Sequence, residues 1–216
     1  MRLIAPAAFA RGAPRYSATL TRTPLPGIHT GRRSFSASPT SNDAIAQDDK
    51  KKLLIVYHTM TDGTRQMAQA AYEAARKAES PDSPITIQML KARDAGPEDV
   101  LSASGYIFAT PENLAAMAGI MKDFFDRTYY AALGKLNGRP YACMICAGSD
   151  GENAMRQVDR IAKGWRLKKA ADGIIVITHA QTAERCHAMK TIEKPDLERC
   201  AEVGEALAEG MAMGVF

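Results

Sequence analysis

Five largely apolar segments of strand length constrain the fold of this 216-residue chain more than any other feature. They read LLIVYH, ITIQML, YIFAT, YACMICA and IIVIT, at residues 53–58, 85–90, 106–110, 141–147 and 174–178. Strands that are apolar throughout, and not only at alternate positions, are covered on both faces. Helical crossovers between such strands make them parallel. The sequence therefore predicts a three-layer α/β/α fold with a five-stranded parallel sheet in the order 2-1-3-4-5.

The segments between the strands carry apolar residues at helical spacing. This spacing predicts helices over residues 64–78, 114–130, 155–165 and 197–211. We find no internal repeat and no sign of a second folded domain, so residues 51–216 are predicted to form a single domain.

The first 50 residues have a composition of their own. Residues 1–42 contain six arginines, five prolines, many Ser and Thr, and no Asp or Glu. Arg-rich, Ser-rich, acid-free N-termini are typical of organelle transit peptides. We therefore predict a transit peptide and disordered linker over 1–50, cleavage after Phe35, and a mitochondrial matrix location. A plastid address and a disordered cytosolic arm are the alternatives.

Charge is divided unevenly along the chain. Residues 1–50 hold seven of the 28 Lys and Arg but three of the 24 Asp and Glu, so they carry the whole net charge of +4. Residues 51–216 sum to zero, which argues against a nucleic-acid partner. No run approaches the roughly 18 apolar residues of a membrane span, so we expect none.

Two of the four cysteines, Cys143 and Cys146, form a C-x-x-C pattern that invites a redox or metal hypothesis. The pair lies inside a strand-like run, where residues three apart point to opposite faces. We therefore interpret both as buried structural residues and predict no metal site.

Hydroxyl groups and a glycine follow the first strand, in the stretch HTMTDGT at residues 58–64. Hydroxyls and free backbone N–H groups at a helix N-terminus bind anions such as phosphate. The chain lacks both G-x-x-x-x-G-K-[ST] and G-x-G-x-x-G, which excludes a triphosphatase P-loop and a dinucleotide fingerprint. The alternative is an ordinary capped helix start.

Small polar stretches also follow the third and fourth strands, ATPEN at 109–113 and AGSDGEN at 147–153. Ligands of open α/β sheets bind beyond the carboxyl ends of the strands. The three loops therefore predict a ligand site at that edge of the sheet.

These three loops, in this order, resemble the flavodoxin-like superfamily and within it the branch of NADPH-dependent FMN reductases and NAD(P)H:quinone reductases. Thr59-x-Thr61-x-Gly63-Thr64 resembles the T/S-x-T-G-x-T phosphate loop of that family. Residues 109–113 with the following 117–127 resemble its third-strand motif and helix, and residues 147–151 stand where its third flavin-contacting loop lies. The resemblance covers about residues 52–178.

The resemblance implies FMN as cofactor, NADPH or NADH as reductant and a small-molecule acceptor. The first loop would hold the FMN phosphate, the second would lie against the isoalloxazine ring, and the third would lie on the other side of the ring. The implied cofactor-binding residues are Thr59, Met60, Thr61, Asp62, Gly63, Thr64, Thr110, Pro111, Glu112, Asn113, Gly148, Ser149, Asp150 and Gly151.

Two residues depart from the family pattern. Asp62 stands where the family usually has glycine, so its carboxylate would either repel a phosphate or cap the helix in its place. His58 is larger than the residue that the family often uses there.

Flavin chemistry is largely that of the cofactor, and we assign no catalytic residue. The second and third loops lack aromatic side chains, which favours a reductase with an open ring face for a quinone-like or other small acceptor. An electron carrier of the flavodoxin type and a flavin-free binding module are the alternatives. The family also implies a homodimer or homotetramer.

Overall fold

A parallel sheet forms the centre of the computed structural model, which describes residues 50–80 and 82–216. All described residues lie in one compact unit. The strands are β1 (Lys51–Tyr57), β2 (Ile85–Lys91), β3 (Gly105–Asn113), β4 (Ala116–Met117), β5 (Pro140–Ala147), β6 (Lys168–Lys169) and β7 (Ile174–Ile177).

The long strands lie in the order β2-β1-β3-β5, and both β6 and β7 pair with the far edge of β5. Every pairing is parallel except that of β3 with β4. The five predicted strands correspond to β1, β2, β3, β5 and β7. The predicted three-layer α/β/α architecture and strand order are therefore confirmed.

Helices cover both faces of the sheet. They are α1 (Gly63–Ala75), followed by a 3₁₀ turn (Arg76–Ala78), α2 (Pro97–Ser102), α3 (Gly119–Ala132), α4 (Glu152–Gly164), α5 (Ala183–His187) and α6 (Lys194–Ala212). Buried residues of α1 and α6 form one hydrophobic cluster with the sheet, and those of α2, α3 and α4 form the other.

Strand β1 shows why its residues are apolar throughout. Leu53 and Ile55 point into the cluster with α1 and α6, whereas Leu54 and Val56 point into the opposite cluster, and all four are fully buried. Burying each such side chain stabilises the fold by about 1.5–3 kcal/mol. A strand flanked by helices on both faces gains this stabilisation at every position.

The prediction of a helix over 114–130 is wrong at its beginning. Strand β3 continues to Asn113, and the chain then turns back so that Glu112 pairs with Met117 and Asn113 with Ala116. Helix α3 begins only at Gly119. The helical spacing of the apolar residues gave the wrong start for this helix, because the buried Met117 belongs to a short strand and not to a helix face. The short elements α2, α5, β4 and β6 were also not predicted.

The interpretation of the C-x-x-C pattern is confirmed. Cys143 and Cys146 are both buried and free, and they belong to opposite hydrophobic clusters. In the part of the chain that is described, no helix has the length and apolar character needed to cross a bilayer. The predicted transit peptide and linker fall almost entirely on residues 1–49, outside the described residues.

Candidate functional site

A cavity of about 700 Å³ lies at the carboxyl ends of β1, β3, β5 and β7, where four loops meet. Its lining includes ten of the fourteen residues that the sequence singled out: Thr59, Met60, Thr61, Gly63, Thr64, Pro111, Glu112, Asn113, Gly148 and Ser149. The structure thus brings the three predicted loops together around one space. Their part in cofactor binding stays a prediction.

The first loop offers unpartnered hydrogen-bonding groups to this cavity. The hydroxyls of Thr59 and Thr64 are buried and have no hydrogen-bond partner, and Thr64 is only 1% exposed. The side chain of Asp62, the residue before α1, does not accept a hydrogen bond from the backbone N–H groups of the first turn of that helix. The first N–H groups of a helix have no partner within the helix, so they stand free for an anionic ligand.

Asp62 neither caps α1 nor lines the cavity. Its carboxylate is paired with the guanidinium of Arg65 and also accepts a hydrogen bond of 3.2 Å from the Gln66 side chain. The hydrogen bond from Arg65 is the main cause that lowers the pKa of Asp62. The repulsion that the Asp62 carboxylate would exert on a phosphate is therefore reduced, because the guanidinium of Arg65 in the first turn of α1 compensates its charge.

The backbone of Asp62 explains why a glycine suits this position. Its φ of 70° lies in the left-handed region, where glycine is unstrained and Asp is among the better tolerated residues. His58, the other residue that departs from the family pattern, does not line the cavity. Its partial burial lowers its pKa, and the charge of Arg93 has a smaller effect in the same direction.

Gly63 allows α1 to begin directly against strand β5. A Cβ at Gly63 would lie 2.6 Å from the Cys146 sulfur and 3.2 Å from the Cβ of Lys190. Burial raises the pKa of Cys146 to about 11, although the charge of Lys190 acts in the opposite direction. The Thr64 hydroxyl also lowers this pKa slightly, but its geometry is not that of a hydrogen bond. Cys146 thus contributes a neutral thiol to the lining of the cavity.

Glu112 joins the second loop to the third. Its Oε2 accepts a hydrogen bond of 3.0 Å from the backbone N–H of Gly151, whereas its Oε1 is buried and unpartnered. Gly151 itself has a φ of 86° and directly precedes α4. This oxygen has no partner among the described residues, so it is available to a hydrogen-bond donor of a ligand.

The hairpin between β3 and β4 projects apolar side chains at the mouth of the cavity. Its two turn residues, Leu114 and Ala115, have φ values of 50° and 58°, and Leu114 is fully exposed. Asn113 donates a hydrogen bond of 3.1 Å to the sulfur of Met60, a side chain that is 62% exposed. The first and second loops are therefore in contact across the rim.

Four predicted residues do not line the cavity: Asp62, Thr110, Asp150 and Gly151. The hydroxyl of Thr110 accepts a hydrogen bond from the Ala118 N–H and donates one to the Pro111 carbonyl, so it fixes the second loop from within. Asp150 is exposed and accepts a hydrogen bond from the Glu152 N–H. Thr110 and Asp150 therefore stabilise the conformations of the second and third loops, whose other residues line the cavity.

A fourth wall of the cavity was not predicted. It is the segment after β7, which contributes Thr178, Ala180, Cys186, His187 and Lys190 to the lining. From the sequence, no ligand-binding role was assigned to these residues. Applying the rule of strand carboxyl ends to the fifth strand as well would have found this segment.

Hydrogen bonds attach the fourth wall to the first loop and to α1. The Lys190 N–H donates to the Thr61 carbonyl at 2.8 Å. The Gln66 side chain donates to the Lys190 carbonyl at 2.7 Å and accepts from the Ile192 N–H at 3.1 Å. At the third loop, a Cβ on Gly148 would lie 2.7 Å from the Ala180 carbonyl oxygen, so only glycine fits there without a shift.

Comparison with solved structures decides the fold. The crystal structure of a flavodoxin, WrbA-like protein from Agrobacterium tumefaciens superposes with a TM-score of 0.53 at 16% identity, over 76% of this chain and 99% of that chain. The chain has the flavodoxin-like fold. Residues 95–182 also match the family model described as NADPH-dependent FMN reductase.

Two curated relatives resemble parts of this flavodoxin-like chain. A flavodoxin of Aquifex aeolicus is 30% identical over 100 residues, which are 46% of this chain and 52% of the relative. An NAD(P)H dehydrogenase (quinone) of Acidithiobacillus ferrooxidans is 30% identical over 93 residues, 36% of this chain and 46% of the relative. The chain thus spans about half the length of the curated relatives it matches. The resemblance to the NADPH-dependent FMN reductase branch of the flavodoxin-like superfamily is confirmed.

The donor and acceptor groups of this flavodoxin-like cavity define the ligand it fits. The residues that line it include the start of α1, two threonines with unpartnered hydroxyls and a glutamate with an unpartnered carboxylate oxygen. A complementary ligand carries both an anionic group and an N–H donor.

Proposed function

We propose that the chain binds FMN and uses it to pass reducing equivalents from NADPH or NADH to a quinone-like or other small acceptor. The observation that carries this proposal is the position of three buried, unpartnered oxygens, those of Thr59, Thr64 and Glu112, all in residues that line one cavity. Buried polar groups without partners cost about 1–3 kcal/mol each, so a ligand that satisfies them is bound more tightly. The family match and the two relatives support the same reading.

The residues present fit FMN at both ends. The N-terminus of α1, with Thr59 and Thr64, would hold the phosphate monoester, and charge-assisted hydrogen bonds of this kind contribute about 1.5–3 kcal/mol each. The free Oε1 of Glu112 would accept a hydrogen bond from an N–H of the ring system. When bound, FMN supplies a ring that takes up a hydride and passes electrons on.

The composition of the cavity favours a reductase over an electron carrier. None of the described residues that line it is Phe, Tyr or Trp, so the lining has none of the large aromatic side chains that would cover a bound ring. Residues 51–216 carry no net charge, whereas strong charge of one sign steers a protein towards charged partners. An uncovered ring face accommodates a nicotinamide or a quinone.

A stopped-flow experiment tests the proposal. The purified protein, saturated with FMN under anaerobic conditions, is mixed with NADPH and separately with NADH while the flavin absorbance near its visible maximum is followed. We expect bleaching with at least one reductant and recovery on adding a quinone. Flavin that stays oxidised with both reductants contradicts the reductase and favours the carrier suggested by the flavodoxin relative. A protein that takes up no FMN favours the flavin-free binding module.

We further propose that residues 1–50 direct the protein to the mitochondrial matrix and that the mature chain is a homodimer or homotetramer. The acid-free, arginine-rich composition of 1–42 supports the first statement. N-terminal sequencing of the native protein is expected to begin at Ser36, and a start at Met1 contradicts cleavage. Light scattering on the mature chain measures its oligomeric state, and a monomeric mass contradicts the second statement.

A further inference from the structure

The side chain of Lys190 begins beside the first residue of α1. A Cβ on Gly63 would lie 3.2 Å from the Cβ of Lys190. The backbone of Lys190 is fixed there on both sides, because its N–H donates to Thr61 and its carbonyl accepts from Gln66. Lys190 therefore has a defined position relative to the first loop.

The charge of Lys190 is not neutralised by a carboxylate. Its ammonium donates hydrogen bonds to three backbone carbonyls, those of Arg185, Cys186 and Ala188, and it forms no ion pair with any other described residue. Carbonyl groups solvate a cation but leave its net charge in place. Lys190 and Cys146 line the same cavity and both lie beside Gly63, and the charge of Lys190 opposes the rise in the pKa of the Cys146 thiol.

The hydroxyl of Thr64 provides an independent sign of a ligand at this point. It is almost completely buried and unpartnered, and its residue lines the same cavity as Lys190. A positive charge, a helix N-terminus and a free hydroxyl therefore belong to residues that line one cavity, and the Lys190 side chain begins next to that helix end. Each of these three groups favours an anion.

We propose that Lys190 is the positive counter-charge of a phosphate group held at the N-terminus of α1, and that it makes the cavity prefer a phosphorylated flavin to its dephosphorylated form. This inference rests on the proposed function. Under this inference, the fourth wall of the cavity contributes to ligand specificity through Lys190. The family phosphate loop quoted above contains no lysine, so the cation comes from a distant part of the sequence.

Titration of the apoprotein with FMN and with riboflavin tests this role, with quenching of flavin fluorescence as the readout. Lys190→Gln keeps a donor for the carbonyls but removes the charge. Lys194→Gln is the matched control, because Lys194 is exposed on α6. We expect Lys190→Gln to weaken FMN binding about 10-fold or more, to leave riboflavin binding unchanged and to flatten the salt dependence of FMN binding. Lys190→Arg should retain most of the FMN affinity.

Equal losses for both flavins would mean that Lys190 only supports the wall, and an unchanged FMN affinity would mean that it makes no contact; either result overturns the inference. Thermal stabilisation by inorganic phosphate separates this inference from the proposed function. If the protein bound no flavin but phosphate still raised its melting temperature in a way that required Lys190, FMN binding would be refuted and the anion site upheld. A wild-type protein that responds to neither flavin nor phosphate overturns both.

Discussion

The carboxylate of Glu112 accepts a hydrogen bond from the backbone N–H of Gly151, with 3.0 Å between the two heavy atoms. This bond ties the end of β3 to the start of α4, 39 residues later in the chain. The other oxygen of the same carboxylate is buried and unpartnered, in a residue that lines the cavity. One side chain thus both holds two loops together and offers an acceptor to a ligand.

Glu112→Ala is expected to weaken the binding of FMN and riboflavin alike, by about 10-fold. The substitution removes the acceptor at the ring end of the cavity and loosens the third loop, but it does not touch the phosphate end. Flavin titration measures the effect. Glu202→Ala, on the exposed face of α6, is the matched control. Unchanged affinity for both flavins would show that Glu112 makes no contact with the ring.

Gly63→Ala is expected to lower the free energy of unfolding by about 1–3 kcal/mol, because the new methyl group would overlap the Cys146 sulfur. Urea denaturation measures this loss. In a Cys146→Ala background the same substitution should cost less, since the sulfur is gone, and a double-mutant cycle gives the difference. Gly119→Ala, where a Cβ would meet nothing within 4 Å, is the control. Additive effects at Gly63 and Cys146 would contradict the predicted overlap.

Asp62→Asn is expected to destabilise the protein in a pH-dependent way. The hydrogen bond from Arg65 holds the pKa of Asp62 below its ordinary value of 3.8, so the pairing stabilises the folded state above that pH. The contribution is lost as the pH falls from 3.8 through the lower folded-state pKa. The difference in unfolding free energy between the wild type and Asp62→Asn should therefore shrink over that range.

Urea denaturation of both proteins between pH 7 and pH 3 measures this difference. Asp94→Asn serves as the control, because Asp94 is exposed and makes no ion pair with any other described residue. FMN affinity at pH 7 should change little in Asp62→Asn, since the carboxylate does not line the cavity. A constant difference across the pH range would show that the pairing with Arg65 does not stabilise the fold.

Replacing Leu114 and Ala115 together by Asn and Gly is expected to stabilise the protein by about 1–2 kcal/mol. Both residues have left-handed backbones in a two-residue hairpin turn, a conformation that costs most residues roughly 1–2 kcal/mol each and that Asn-Gly adopts readily. The midpoint of urea denaturation should rise with an unchanged slope.

Leu133→Asn controls for the loss of an exposed leucine, since Leu133 is partly exposed and has an ordinary φ of −57°. A double variant no more stable than wild type would mean that the turn is not strained.

The sheet was predictable because its information is local. The long strands are largely apolar, helical crossovers between them make the sheet parallel, and the strand order is the common one for such doubly wound folds. The first three loops were predictable because ligand residues of such folds follow strand ends. The Asp62 carboxylate pairs with Arg65, three residues further on. This pairing is local, and the i,i+3 spacing of the two charges could have predicted it.

The hairpin and the fourth wall were not predictable in the same way. Leu and Ala are poor residues for a turn with two positive φ values, so the sequence at 114–115 gave no turn signal. The fourth wall is held by contacts between Gln66 and the segment at Lys190 and Ile192, which lie 124 and 126 residues away. Such pairings exist only once the tertiary fold brings the segments together.

The two ends of the cavity rest on different supports. Gln66 and the backbone of Lys190 hold the end at α1, whereas side chains of α4, Asn153 and Gln157, hold the hairpin at the other end. Under the proposed function, mutations near the hairpin are therefore expected to change the reaction with an acceptor more than the affinity for FMN. The separate supports would let cofactor affinity and acceptor choice diverge independently.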